Sequence, residues 1–208
     1  MKLFLLFFGR FCSYICPKFI IDKYKAVKIF FYTGFRSRFF QSIGKNSTLG
    51  INTVYIGEQY ITIGENTTIG NYGRLTAYDG HLSSNKIFMP QIRIGDNCCI
   101  GAQSHITAIN KIQIGNNLLT GPRVLISDNS HGEPISEMLD IAPQSRPLYS
   151  KGPRIIEDNV WIGEGAMILS NVHIGRGVII ACNSVVVSDV PAYSVVAGSP
   201  AKIIKNLR

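Results

Sequence analysis

The chain has 208 residues, a formal net charge of +8, 46% hydrophobic and 16% charged residues, and five cysteines. That length holds one domain with a sizeable core, and the composition marks out no disordered stretch. An odd number of cysteines speaks against a disulfide framework and for a reducing, cytoplasmic setting.

The charge is concentrated at the start. Residues 1–40 carry eight Lys or Arg against one Asp, a net +7, together with ten phenylalanines. Such a mixture predicts a basic, aromatic helical arm over residues 1–41. It has two readings: a cap or subunit contact for the first coil, or a peripheral contact with the inner face of a membrane. Leu3–Phe8 is too short to span a bilayer. Arg10, with no small-residue cleavage site after it, argues against a cleaved signal. The basic residues carry no nucleic-acid motif, so no nucleic-acid partner is expected. Cys12 and Cys16 have no second pair to complete a metal site, and none is expected.

From residue 42 the chain beats in sixes. Ile43-Gly44 and Leu49-Gly50 lead, after a slip of one residue, to Ile56-Gly57. Ile63-Gly64 and Ile69-Gly70 follow, then Ile94-Gly95, Ile100-Gly101, Ile106 and Ile112. Ile114-Gly115 restarts the beat two residues out of step, through Thr120-Gly121 to Ile126. The last run is strict: Ile156, Ile162, Ile168, Ile174, Ile180 and Val186. A helix needs a period of 3.6 and a strand one of 2, whereas period six suits a coil of short straight faces joined by corners. The expectation is an all-β solenoid of hexapeptide repeats over residues 42–190, with its glycines supplying positive φ at the corners. Cys98 and Cys182 read as small core positions.

Two segments break the beat and are expected to protrude as loops. One covers residues 71–91 and contains Asp79-Gly80 and Ser83-Ser84; the other covers 127–153 and has four prolines. Loops on a rigid scaffold are where chemistry concentrates. Histidine is the natural base for a hydroxyl or amine near neutral pH. Of the four histidines, His173 reads as a solvated coil position and His81 as a loop residue without distinctive neighbours. His105 is a weak cleft candidate. His131 is the strongest, because it follows Ser-Asp-Asn-Ser where the last inward residue, Ile126, hands over to the second loop.

The stretch from Trp161 (WIGEGAMI), Val172-His-Ile-Gly-Arg-Gly, Asn183-Ser-Val-Val-Val-Ser-Asp-Val-Pro and Val196-Ala-Gly-Ser-Pro-Ala-Lys202 resembles the hexapeptide-repeat acetyltransferases. Within that family the motifs look like those of the galactoside and maltose O-acetyltransferases and of the related O-antigen and capsule acetyltransferases. The resemblance covers residues 42–208 and implies a left-handed parallel β-helix, a homotrimer with sites between subunits, and acetyl-coenzyme A as donor. It implies His131 as the catalytic base and Trp161 as a lining of the acceptor and coenzyme cleft; apart from the resemblance, Asp128 and His105 are expected as further acceptor contacts. It assigns coenzyme contacts to Cys182, Asn183 and Ser184, of which Cys182 and Asn183 depart from the family's small residues; Gly163 is expected beside them as a further coenzyme contact. Within a coenzyme-binding tail over 191–208, it adds Pro200, Ala201 and Lys202, and Lys205 is expected to offer positive charge to the coenzyme's phosphates.

The expected reaction is direct acetyl transfer to a sugar hydroxyl in surface polysaccharide or lipopolysaccharide biosynthesis. Asp128, Glu133 or Glu137 would orient His131, and amides near Gly163 or Ser184 would face the oxyanion. Three rivals remain. An N-acetyltransferase of nucleotide-linked amino sugars usually adds an N-terminal nucleotide-binding unit, and no glycine-rich strand-turn-helix precedes residue 42. A β-helix carbonic anhydrase needs convergent histidines, and these lie 24, 26 and 42 residues apart. A non-catalytic scaffold would fail to bind coenzyme A.

Overall fold

A computed structural model describes residues 1–15, 18–80, 86–169 and 171–208. Cys16, His81, Ser83 and Ser84 lie outside the described residues. Two helices open the chain, α1 (Lys2–Ile15) and α2 (Lys18–Ser37). From Ser42 onward, short strands fall in rotation on three parallel sheets. The first face runs from Ser42–Ile43 to His173–Ile174, the second from Thr68–Ile69 to Ser194–Gly198, and the third from Val54–Ile56 to Val185–Val186. Three parallel faces visited in turn, preceded by helices, fit the left-handed parallel β-helix expected from the repeat.

Register gives each coil its length. Ile43 pairs with Ile63, Ile63 with Ile94, Ile94 with Ile114, Ile114 with Ile156 and Ile156 with Ile174, so successive coils take 20, 31, 20, 42 and 18 residues. The 31- and 42-residue coils carry the two insertions. The coil from Ile156 to Ile174 has the strict 18 of three hexapeptides, and the next, from Ile174 to Val190, takes 16. The 20-residue coils hold two extra residues, such as Ile109 and Asn110, between the third face and the first.

Inward residues stack on their own kind. Ile162 lies on Ile180 and under Thr120, and Ile168 lies between Ile126 and Val186, all buried. Each such isoleucine contributes roughly 1.5–3 kcal/mol. No slip occurs near residue 56. Tyr55 is the inward residue and Ile56 faces out, so the beat runs Ile43, Leu49, Tyr55 in step. The Ile-Gly pair misled because Gly57 opens a short 3-10 turn instead of a rung corner.

The corner glycines have another purpose than expected. Gly163 is not in the positive-φ region; a Cβ there would stand 2.5 Å from the Cys182 nitrogen of the next coil. The bare Cα lets successive coils approach. The left-handed corner comes two residues later and belongs mostly to asparagine: Asn46, Asn66, Asn97, Asn117, Asn159, Asn171 and Asn183 all have φ of 53–61°. Asparagine tolerates that region better than other residues with a side chain. It also bridges coils, as where Asn117 Nδ2 donates to Asn159 Oδ1 at 2.9 Å.

The segments expected as loops and tail are shorter than the sequence suggests. Arg74–Ala77 is a regular third-face strand inside the expected loop 71–91, with Leu75 buried six residues after Ile69. Stacking also continues past 190. Ser194–Gly198 lies parallel on Ile179–Ile180, and Ala201–Asn206 folds back antiparallel to it. Cys98 is buried as expected, but Cys182 is exposed. It lies at a corner two residues beyond inward Ile180, and Ser184 takes the small inward place.

Candidate active site

His131 is placed by a short antiparallel ladder within the second insertion. Ser130 and His131 pair with Tyr149 and Leu148, and the segment between includes two 3-10 turns, Ser136–Met138 and Pro143–Ser145. Leu148 is buried, which anchors the ladder to the coil. Exposed His131 borders an open cleft of about 430 Å³ with Glu133, Arg146, Lys151, Leu169 and Val187. Leu169 and Val187 each follow a third-face strand, so the cleft runs along the corner where the insertion leaves the coil. The Glu133 carboxylate near the Tyr149 hydroxyl raises the phenol's pKa.

The base of the insertion is held by buried charge. Asp128 is fully buried; its two carboxylate oxygens accept the main-chain N–H groups of Ile109 and Asn110, both at 2.9 Å. Those two amides belong to the extra residues of the 20-residue coil. Burial pushes the Asp128 pKa up, against the lowering effect of those amides, Asn129 and Arg154. Arg154, also fully buried, closes the far end: Nε donates to Ser127 O at 3.0 Å and Nη1 to Gly152 O and Pro153 O at 2.7 Å each. Burial lowers its pKa to about 10 despite nearby Asp128. The pair therefore ties together both stems of the insertion that carries His131.

Several expected site residues lie elsewhere in the chain. Asp128 is turned to main-chain amides at the loop base, not to the cleft, so the cleft's own carboxylate is Glu133; Glu137 is exposed on the loop. His105 is half-buried on the outward side of the third face, beside Arg74 and Leu125. Burial, then Arg74, lowers its pKa. Trp161 is 51% exposed on the second face, between Leu119 and Ile179. It does not line the His131 cleft of its own chain. Lys202 and Lys205 are exposed on the returning strand of that same face, where Lys202 pairs with Ala197 and Lys205 with Val195. Pro200 is exposed and Ala201 half-buried at the turn before that strand.

The amides expected to face an oxyanion are already engaged. Gly163 N–H donates to Ile180 O at 2.7 Å and Ser184 N–H to Ala181 O at 3.3 Å. Ser184 is buried, and its hydroxyl accepts the Gly198 N–H at 3.2 Å, bracing the tail. Asn183 is exposed at its corner, next to Cys182. His173 bonds Glu157 at 2.9 Å on the exposed first face. Sequence reasoning missed Arg146, Lys151 and Tyr149. Two cations and a tyrosine within a proline-rich insertion were the available signal.

A stack of hexapeptide coils with His131 on an insertion at its edge defines a class, and comparison with known proteins agrees with it. The bacterial transferase hexapeptide (six repeats) family matches residues 155–188, and the hexapeptide repeat of succinyl-transferase matches residues 42–71 and 91–119. WbbJ of Escherichia coli (strain K12), assigned to lipopolysaccharide biosynthesis as an O-acetyl transferase, is 36% identical over 151 residues, 70% of this chain and 71% of its own. The chain belongs to the hexapeptide-repeat acetyltransferases. A 2,3,4,5-tetrahydropyridine-2,6-dicarboxylate N-acetyltransferase of Clostridium perfringens is 62% identical over 58 residues, which are 28% of this chain and 25% of that enzyme. The hexapeptide-repeat acetyltransferase VCA0836 of Vibrio cholerae, solved with acetyl-coenzyme A, superposes with a TM-score of 0.53 at 25% identity, covering 96% of this chain and 85% of that one.

Proposed function

We propose that the chain is an acetyl-coenzyme A-dependent O-acetyltransferase acting on a sugar hydroxyl in surface polysaccharide or lipopolysaccharide biosynthesis. The reading includes a left-handed coil, a cytoplasmic homotrimer with sites between subunits, and a peripheral membrane contact through residues 1–40. The observation that carries it is His131, held by the Ser130–His131 ladder at the edge of a cleft with two cations. Relatedness to WbbJ over most of both chains supports the acceptor class.

In this mechanism the His131 imidazole takes the proton of the acceptor hydroxyl as that oxygen attacks the thioester carbonyl. When the tetrahedral intermediate collapses, the C–S bond breaks and the proton passes from His131 to the departing thiolate. Arg146 and Lys151 place positive charge beside the cleft, where the developing oxyanion needs it. Trp161, Gly163, Cys182, Asn183 and the tail residues Pro200, Ala201, Lys202 and Lys205 form a separate strip over the second face and its corner. We assign that strip to the coenzyme of a neighbouring subunit's site.

The test is transfer of labelled acetyl from acetyl-coenzyme A to a panel of free sugars, glycolipids and bacterial glycans. An ester product releases its label in mild alkali, whereas the amide made by an N-acetyltransferase keeps it. We expect His131→Ala to lower kcat by roughly two to four orders of magnitude with the trimer intact. Full turnover in that variant sinks the assignment.

A further inference from the structure

Helix α2 has two faces with different tasks. On one, the Thr33 hydroxyl accepts the Leu49 N–H at 2.9 Å and donates to Ile29 O at 2.8 Å. Arg36 pairs with Glu58 and lies over the Tyr55 ring at 5.2 Å, and Phe40 packs edge-on against Tyr55 at 5.5 Å. That face caps the first coil. At about 100° per residue, Ile20, Tyr24, Val27, Phe31 and Phe35 fall on the opposite face. All five are exposed, Phe31 at 77%. A helix serving only as a cap would turn polar side chains to water.

Helix α1 is apolar around most of its circumference, with Leu3, Phe4, Phe7, Phe8 and Phe11 exposed and Lys2 and Arg10 its charged residues. Fourteen residues reach about 21 Å, short of a hydrocarbon core of about 30 Å. Neither helix alone is long and apolar enough to cross a membrane. Charge selects what covers these faces. Lys2, Arg10, Lys18, Lys23, Lys25 and Lys28 stand against Asp22 alone. A second copy of this chain would bring the same positive charge to the contact. An anionic bilayer complements it and accepts the apolar stripe as well.

We propose that α1 and the outward stripe of α2 lie in the plane of an anionic phospholipid surface while the inner face of α2 clamps the first coil. The lipid contact deepens the membrane contact of the proposed function by naming the lipid and the faces that meet it; its consequence for the acceptor rests on the acetyltransferase reading. The cap sits on the first coil and the His131 insertion leaves the fourth, three coil spacings or about 14 Å along the stack. Such an enzyme takes hydroxyls of a lipid-linked glycan held above the headgroups.

The experiment is co-sedimentation of the full chain with vesicles of phosphatidylcholine alone or mixed with phosphatidylglycerol, at low and high salt. Two variants join it: Tyr24→Glu/Val27→Glu/Phe31→Glu, and Lys23→Gln/Lys28→Gln. We expect binding to the anionic vesicles only, weakened by salt, abolished in the first variant and reduced roughly five-fold per lysine in the second. Both variants should keep the wild-type oligomeric state and transfer to a soluble acceptor. Undiminished vesicle binding by the stripe variant overturns the proposal. So do lipid-free higher assemblies of the wild type that the stripe variant dissolves, since a second copy then covers the stripe. Lipid binding without any acetyl transfer supports the lipid contact and removes the enzymatic reading instead.

Discussion

His105 is half-buried on the third face, and its Nε2 has no hydrogen-bond partner. Burial and Arg74 hold its pKa below the ordinary 6.5. At higher pH the imidazole is neutral in both folded and unfolded chains. As pH falls through 6.5 the unfolded chain gains a proton that the folded chain resists, so stability is lost toward the folded-state pKa. His105→Leu, beside Leu125, should therefore flatten the fall in Tm between about pH 7.5 and about pH 5; an unchanged slope refutes it. Arg154 leads to a different expectation. Arg154→Met leaves three main-chain carbonyls without their donor, at a cost on the order of 2–3 kcal/mol. It should lower Tm, speed amide exchange in residues 127–153 and reduce kcat, because the stems of the His131 insertion come apart. Unchanged exchange there would show that Arg154 does not hold the loop. The position of His131 on the second insertion was legible, because it stands where the beat of six stops. Asp128 was not: its partners are two main-chain amides 18 and 19 residues away, which no side-chain pattern announces.

Single elements in this fold are defined by what stacks on them. Gly163→Ala places a methyl 2.5 Å from Cys182 N and 2.9 Å from Ala181 C, both backbone atoms. With no flexible side chain to yield, the coils must part, and overpacking of this kind costs roughly 1–3 kcal/mol. Asn183→Gly, at a left-handed corner with φ 56°, should be nearly neutral by comparison. Thermal unfolding of the two variants separates the roles of the two positions; equal losses would contradict them. The inward residues and the two interruptions were readable because period six is a statement about side chains. The jobs of glycine and asparagine were not, since close approach depends on a neighbouring coil 18 or 20 residues away. Leu75 and Tyr55 were misread for a related reason: they keep the beat without the glycine that usually marks it.

Across the whole molecule, the residues assigned to one reaction stand on two surfaces. The His131 cleft lies at the corner after the third face, whereas Trp161, Lys202 and Lys205 belong to the second. A single chain cannot bring them together, and a cyclic trimer can, because its contacts pair one surface of each protomer with a different surface of the next. Each site would then take His131 from one subunit and Trp161 from its neighbour. His131→Ala and Trp161→Ala chains, each inactive or weak alone, should complement when unfolded together in equal amounts and refolded. With random assembly, one interface in about four receives both intact residues, so the mixture should recover about a quarter of wild-type activity. Mixing the already folded trimers should recover none until subunits exchange. If the refolded mixture is no more active than the mean of its two parents, both residues serve within one chain, and the division of the site between subunits fails.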